Sequence, residues 1–313
     1  MKASRIWLGL LFMSAQTCVM AGAPPLEKLG QPWRAGYTPI QWEARIDGLP
    51  KSATVYRVVA DSFPPAGLRS LLALAGLTEK DRGRPMWTGA QPEDMWFTDA
   101  DGARSLAVHP AVGYLDIFRN GVVALPGQRI DGVPDWPEAL RLAEALLPKI
   151  GVDRAQLVQD PEANEPRYTK ILQTMVGTPI SRQVVLYRSF DGIPSVGLGC
   201  AGGVRFSFGN NGQLAELEMT WRKVVPQRKY AVATKDQFLG YLKEGHCVCR
   251  FDSPSTIQTF TVKEVNPYYL ELRSWEPQQE IHPVAELYGY AQLPTTNLPI
   301  SIYCPLLDYG QRP

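Results

Sequence analysis

The most chemically distinctive stretch of this chain is His246-Cys247-Val248-Cys249. One imidazole and two thiolates suit zinc or copper, and a fourth ligand would have to come from His282, Cys200 or Cys304. Closely spaced cysteines in an exported chain more often end in disulfides, and that is the expected use here. Nucleophilic catalysis would need a Ser or Cys, a base in reach and an acid to orient that base. The chain has three histidines, His109, His246 and His282, of which the first and last each precede a proline. Cys249 with His282 is a nucleophile–base pairing that the sequence leaves open. No Gly-x-Ser-x-Gly elbow, His-Glu-x-x-His helix or papain-like cysteine signature accompanies it. No catalytic residue is assigned, and no cofactor is expected.

Other patterns invite chemistry and read better as structure. Gly197-Leu198-Gly199-Cys200-Ala201-Gly202 fits G-x-G-x-x-G. A dinucleotide site needs a helix after that loop, whose N-terminus holds the pyrophosphate. Here Val204 to Phe208 reads as a strand and an Asn211-Gly212 hairpin turn follows, so the glycines read as turn or bulge positions. Glu93-Asp94 and the pair Asp99 and Asp101 could serve glycosidic chemistry, but they sit at turns, where Asp bonds its own backbone. Aromatic residues crowd the last third: Tyr268, Tyr269, Trp275, Tyr288, Tyr290 and Tyr303. Most are expected in the core and in cross-strand pairs, and any that face solvent would form a binding surface for peptide or carbohydrate.

The elements that must position these residues are short. Of 313 residues, 27 are Gly and 27 are Pro, a density that fits many strands and turns and excludes a mainly helical bundle. Asp135 to Ile150 is the clearest helix, with Asp135 and Glu138 as its capping box, Pro137 in its first turn and Gly151 past its end. Ala139, Ala143, Leu146, Leu147 and Ile150 share one face. A second helix runs from about Lys235 to Glu244, capped by Thr234 and Gln237 and ended by Gly245. A third, short and apolar, falls in Ala66 to Leu77. Strands are expected at Thr38 to Ala44, Thr54 to Val59, Gln183 to Arg188, Gly203 to Phe208, Leu214 to Trp221, Thr256 to Val265, Tyr268 to Trp275, Val284 to Gln292 and Pro299 to Cys304. Asp99 to Gly102, Asn120-Gly121, Asp191-Gly192 and Asn211-Gly212 read as hairpin turns, and Asn266-Pro267 as a break. The order of one helix then several antiparallel strands recurs, so the fold class is α+β, tandem units of one helix packed on antiparallel sheet.

Hydrophobic residues make up 45% of the chain and charged residues 20%, enough for a real core. The formal net charge is +1, which gives no support to a nucleic-acid partner. Met1 to Arg5 is basic, Ile6 to Met13 is apolar, and Val19-Met20-Ala21 suits a signal peptidase, so residues 1–21 are expected to be a signal peptide and the mature chain periplasmic or secreted. No later segment approaches the roughly 20 apolar residues of a membrane span. Cys200, Cys247, Cys249 and Cys304 then remain, enough for two disulfides. Cys247 and Cys249 share a strand face and would pair with each other only under strain, so bonds to Cys200 and Cys304 are expected, in either arrangement.

The capped helix from Asp135, the run Arg188-Ser189-Phe190-Asp191-Gly192-Ile193-Pro194-Ser195-Val196-Gly197, then Val204 to Phe208 and the strand into Trp221-Arg222 resemble a PepSY-type module. Tyr268 to Trp275, Ile281-His282-Pro283 and Tyr288-Gly289-Tyr290 resemble the C-terminal part of YycH/YycI-type extracytoplasmic regulators. The resemblance covers roughly residues 135–304. It implies a non-catalytic module that binds or restrains an envelope protein such as a protease or sensor. The expected organisation is a signal peptide (1–21), an N-terminal α+β unit (22–130), a PepSY-like unit (131–230) and a C-terminal helix-plus-sheet unit (231–313). An envelope enzyme or metal protein centred on His246 to Cys249 is the competing expectation.

Overall fold

The computed structural model describes residues 23–33, 38–59, 63–84, 90–120, 132–158, 171–173, 179–197, 201–249, 257–273 and 276–308. In chain order the strands and helices are β1 (Gln31–Pro32), β2 (Ile40–Trp42), β3 (Ser52–Val59), α1 (Leu68–Ala75), β4 (Arg82–Gly83), β5 (Met95–Thr98), β6 (Arg104–His109) and β7 (Tyr114–Arg119). Then come α2 (Trp136–Leu146), β8 (Leu157–Val158), β9 (Ile171–Gln173), β10 (Pro179–Phe190), β11 (Ile193–Val196), β12 (Gly203–Phe208), β13 (Leu214–Thr220) and β14 (Lys223–Ala231). Last are α3 (Lys235–Glu244), β15 (Val248–Cys249), β16 (Thr259–Leu270), β17 (Glu280–Gln292) and β18 (Asn297–Pro305).

Local chemistry fixes the helix ends. The Asp135 carboxylate accepts from the Glu138 backbone N–H at 3.0 Å, and Gly151, at φ 73°, ends the turn that follows α2. Thr234 and Gln237 cap α3 reciprocally, and Gly245 closes it in the left-handed region. The β10–β11 hairpin turns on Asp191 and Gly192 and the β12–β13 connection on Asn211 and Gly212, all four at positive φ as their types favour.

Two large sheets result. One runs β4-β5-β6-β7-β13-β12-β10, with β8 and β9 sharing the far flank of β10. Helices α1 and α2 pack on it over Leu106, Leu115, Ile117, Val184, Phe206 and Leu217. Because β7 pairs with β13, strands from the expected N-terminal and PepSY-like units share this sheet. The second runs β1-β15-β18-β17-β16, and β2 and β11 lie end to end along the far flank of β16, both parallel to it. Helix α3 covers its inner face through Phe238 and Leu242. The β3–β14 ribbon joins the start of β17, and the β10–β11 hairpin carries the chain from one sheet into the other. The architecture is therefore α+β, though dominated by strands rather than evenly divided between helix and sheet.

One expected boundary is corrected. Asn266-Pro267 does not break the chain, because β16 runs through it and pairs with β17 from Thr259 to Leu270 with a single register shift between Val262 and Glu264. The Glu271 N–H donates to the Val196 carbonyl, so alternate backbone positions, Tyr269 and Pro267 among them, point toward the β2/β11 flank. Among the described residues no strand lies there between Trp42 and Ser195, so proline's missing donor removes no ladder bond that they show. Residues 121–131, where the second half of the expected Asn120-Gly121 hairpin would fall, lie outside the described residues. So do the expected signal peptide, Cys200 and Trp275. Among the described residues no helix is long and apolar enough to cross a membrane.

Candidate functional site

Strand parity sorts the C-terminal aromatics. Successive side chains point to opposite faces, so Tyr268 and Tyr269 cannot both face solvent. Tyr269 turns inward, fully buried against Tyr56 and Phe190 at ring distances of 5.5 and 5.1 Å, and its hydroxyl accepts from the Thr54 N–H at 3.2 Å. Burial pushes its phenol well up. As a surface candidate it is corrected to a core residue. Tyr288 and Tyr290 share the outer face of β17, away from α3, with rings edge-on at 6.2 Å. Tyr290 is 41% exposed, and Pro299 lies opposite it on β18. Gly289 between them is forced by packing, since a Cβ there would lie 1.9 Å from the Thr261 carbonyl oxygen. Polar groups ring the pair: Thr261 bonds Gln41, Lys263 pairs with Glu43, and the Tyr303 hydroxyl donates to Glu286. The near end of the same face is closed by Leu26 and Leu29 over Val248, Leu270 and Val284, and Tyr268 packs there half-buried. What stays open is an aromatic centre with a polar rim, the composition of a protein-binding surface.

The His246 to Cys249 stretch points two ways. Cys247 and Cys249 are buried in the core under α3, together with Cys304. His246 is half-exposed and pairs with Glu244 at 3.1 Å. Among the described residues no group of three His, Cys, Asp or Glu converges as a metal site would require. His282 pairs with Glu280 at 3.1 Å and shares the outer face of the sheet with Val284. Cys249 lies on the inner face opposite Ile302, so the sheet separates this thiol from that imidazole. His109 pairs with Asp94 at 3.4 Å, and burial lowers its tendency to protonate. No disulfide joins the described cysteines. Asp94 and Asp99 accept backbone N–H groups from Gln91 and Arg104, the local turn bonding expected of them.

Sequence reasoning missed the densest polar cluster. Where β10, β13 and β16 meet, Arg188, Ser195, Arg222 and Glu271 are all buried. Arg188 lies between the rings of Phe190 and Trp221, 4.5 Å from each, and donates to the Arg222 carbonyl. Arg222 donates to the carbonyls of Leu272, Arg273 and Glu276, each at 2.9 Å. Glu271 accepts from the Ser195 hydroxyl at 3.2 Å. Burial pushes its carboxyl up and lowers both guanidinium groups, while the attraction between them works the other way. Two glycines of the pattern approach Glu271: a Cβ on Gly202 would lie 2.9 Å from Glu271 Oε1, and one on Gly197 would lie 2.3 Å from the Glu271 backbone carbonyl oxygen. The two described glycines of that run, Gly197 and Gly202, thus pack closely on Glu271.

No protein-family model matches the chain, and no curated protein matches it. Solved structures similar to it include the following two. An uncharacterized protein from Eubacterium rectale ATCC 33656 has a TM-score of 0.45 at 10% identity, over 85% of this chain and 86% of that one. YycH from Bacillus subtilis has a TM-score of 0.34 at 9% identity, over 79% of this chain and 52% of that one, so the likeness takes in about half of YycH.

Proposed function

We propose that this chain is an exported, non-catalytic binding module that engages an envelope protein, such as a protease or a sensor, through the outer face of its C-terminal sheet. Residues 1–21 serve as the export signal in this reading. The observation that carries it is the pair Tyr288 and Tyr290, set two residues apart on one solvent-facing strand face and ringed by polar groups. Tyrosine supplies large contact area at low conformational cost, and a rim of Gln41, Thr261 and Glu286 can satisfy a partner's polar groups. The burial of Cys247 and Cys249 leaves the competing loop chemistry without an exposed thiol.

Affinity capture from the protein's own cell envelope tests this, run in parallel with the wild-type chain and a Tyr288→Ala, Tyr290→Ala variant. A protease or sensor recovered in stoichiometric amount by the wild type and lost by the variant supports the reading. Equal recovery by both would move the interface elsewhere. Turnover of peptide, ester or glycoside substrates by the purified chain, abolished by a single substitution, would replace it with an enzyme.

A further inference from the structure

The three buried thiols are not equivalent. Val248 pairs with Tyr303 and Cys249 with Ile302, so the β15–β18 register sets Cys247 directly opposite Cys304. Antiparallel pairs alternate between a wide type that exchanges backbone hydrogen bonds and a narrow type that does not. Two separate bonds identify this pair as narrow. The Cys247 carbonyl accepts from Trp33 at 2.9 Å, so its backbone groups face β1, away from β18. On β18, Leu306 donates to Pro283, which places the next bonded pair at Cys304 and Ala285, so the backbone groups of Cys304 face β17, away from β15. In a narrow pair the Cα atoms approach to about 4.5 Å, inside the roughly 4.4–6.8 Å that a disulfide spans. The side chains project the same way, and the Cys304 thiol lies within hydrogen-bonding reach of Cys247. Cys249 also faces the core, but one pair further along, against Ile302.

We propose that Cys247 and Cys304 are the partners of a cross-strand disulfide that ties β15 to the last strand of the chain, and that Cys249 takes no part in it. Both thiols give up their hydrogens in the step. With a disulfide oxidant R–S–S–R the exchange is Cys247–SH plus Cys304–SH plus R–S–S–R, giving the Cys247–Cys304 bond and two R–SH. The protein thiols are oxidised and the added disulfide is reduced. Exposures of 1% for Cys247 and 0% for Cys304 close the folded pair to a bulky oxidant, so the bond forms as the strands come together. The raised affinity of the buried Cys304 thiol for its proton works the same way, since the thiolate is the attacking form.

The test refolds the full chain from denaturant in a mixture of reduced and oxidised glutathione. Remaining thiols are then blocked with N-ethylmaleimide under denaturing conditions, and the peptides are mapped without reduction. One linked pair is expected, joining the Cys247–Cys249 peptide to the Cys304 peptide. It persists in Cys249→Ser, disappears in Cys247→Ser, and is released by a reductant. The oxidised chain melts at a higher temperature than the reduced one. In the wild-type chain, fragmentation of the linked peptide places the maleimide label on Cys249, so the assignment stands even where a variant fails to fold. A dominant link through Cys249 or Cys200, or every thiol found blocked, would overturn the proposal.

Discussion

The Glu271 carboxylate and the Arg222 guanidinium lie 3.8 Å apart, both buried, at the point where the two sheets meet. That separation is a charge contact, too long for a hydrogen bond. Arg222 uses its terminal nitrogens on the carbonyls of Leu272, Arg273 and Glu276, so Glu271 acts chiefly as a counter-charge for two guanidinium groups. Removing one member of a buried pair leaves the other uncompensated and costs about 3–5 kcal/mol. Glu271→Ala is therefore expected to lower the free energy of unfolding by that order. Arg188→Met, which keeps an apolar chain between Phe190 and Trp221, is expected to cost less. Denaturant titration reads both, and a loss in Glu271→Ala no larger than in Arg188→Met would contradict the counter-charge role.

The glycines around this carboxylate give a second, independent expectation. Gly202 has φ 67°, and a Cβ there would lie 2.5 Å from the Ser195 Cβ. Gly192, at φ 79°, has open space where its Cβ would go. Both substitutions carry the left-handed backbone penalty of about 1–2 kcal/mol, but Gly202→Ala adds an overlap with buried atoms. Gly202→Ala should destabilise clearly more than Gly192→Ala. Equal losses in thermal unfolding would mean that the turn conformation alone, and not the packing on Glu271, explains the loop.

Much of the fold was legible because its signals are local. Asp135 with Gly151, Thr234 with Gln237, and the Asp191-Gly192 and Asn211-Gly212 turns each act within a few residues, and their elements stand where the chain chemistry puts them. What was not legible depends on partners distant in sequence. Asn266-Pro267 has the chemistry of a break, yet its proline nitrogen faces a stretch of flank where no described strand pairs, and the chain continues as strand. Tyr268 and Tyr269 look alike until register decides which is buried. Arg188, Arg222 and Glu271 carry charges that sequence assigns to the surface. Nothing short of the meeting of β10, β13 and β16 shows them to be interior.

Asp116 carries a pH signature. It stands on β7 opposite Glu218 on β13, beside Glu216, with Arg205 engaged to both glutamates. Burial, then the two carboxylates, push it from 3.8 up to about 7, with Arg205 opposing. A raised folded value means that the folded chain holds a proton the unfolded chain has lost. Stability is therefore greatest below pH 3.8 as far as this group is concerned, falls as pH rises through that window, and levels off above about 7. Asp116→Asn removes the titration and should be more stable than the wild type at pH 8, with the gain shrinking steadily on acidification. Urea midpoints taken across the range would show it, and a gain independent of pH would assign the effect to something other than this carboxyl.

Two tyrosines on neighbouring strands of one sheet should separate stability from binding. Tyr269 fills the core against Tyr56 and Phe190, so truncation to Ala should cost about 3–5 kcal/mol. Tyr269→Phe keeps the ring but leaves the Thr54 N–H without its acceptor, a loss of about 1–3 kcal/mol. Tyr290 stands in solvent, where truncation should change stability by no more than about 0.5 kcal/mol. If the outer face binds, Tyr290→Ala loses the captured partner at unchanged melting temperature. Tyr269→Phe keeps that partner below its own reduced melting temperature. The opposite pattern, with binding lost in Tyr269→Phe and kept in Tyr290→Ala, would place the interface near the β3–β14 ribbon instead.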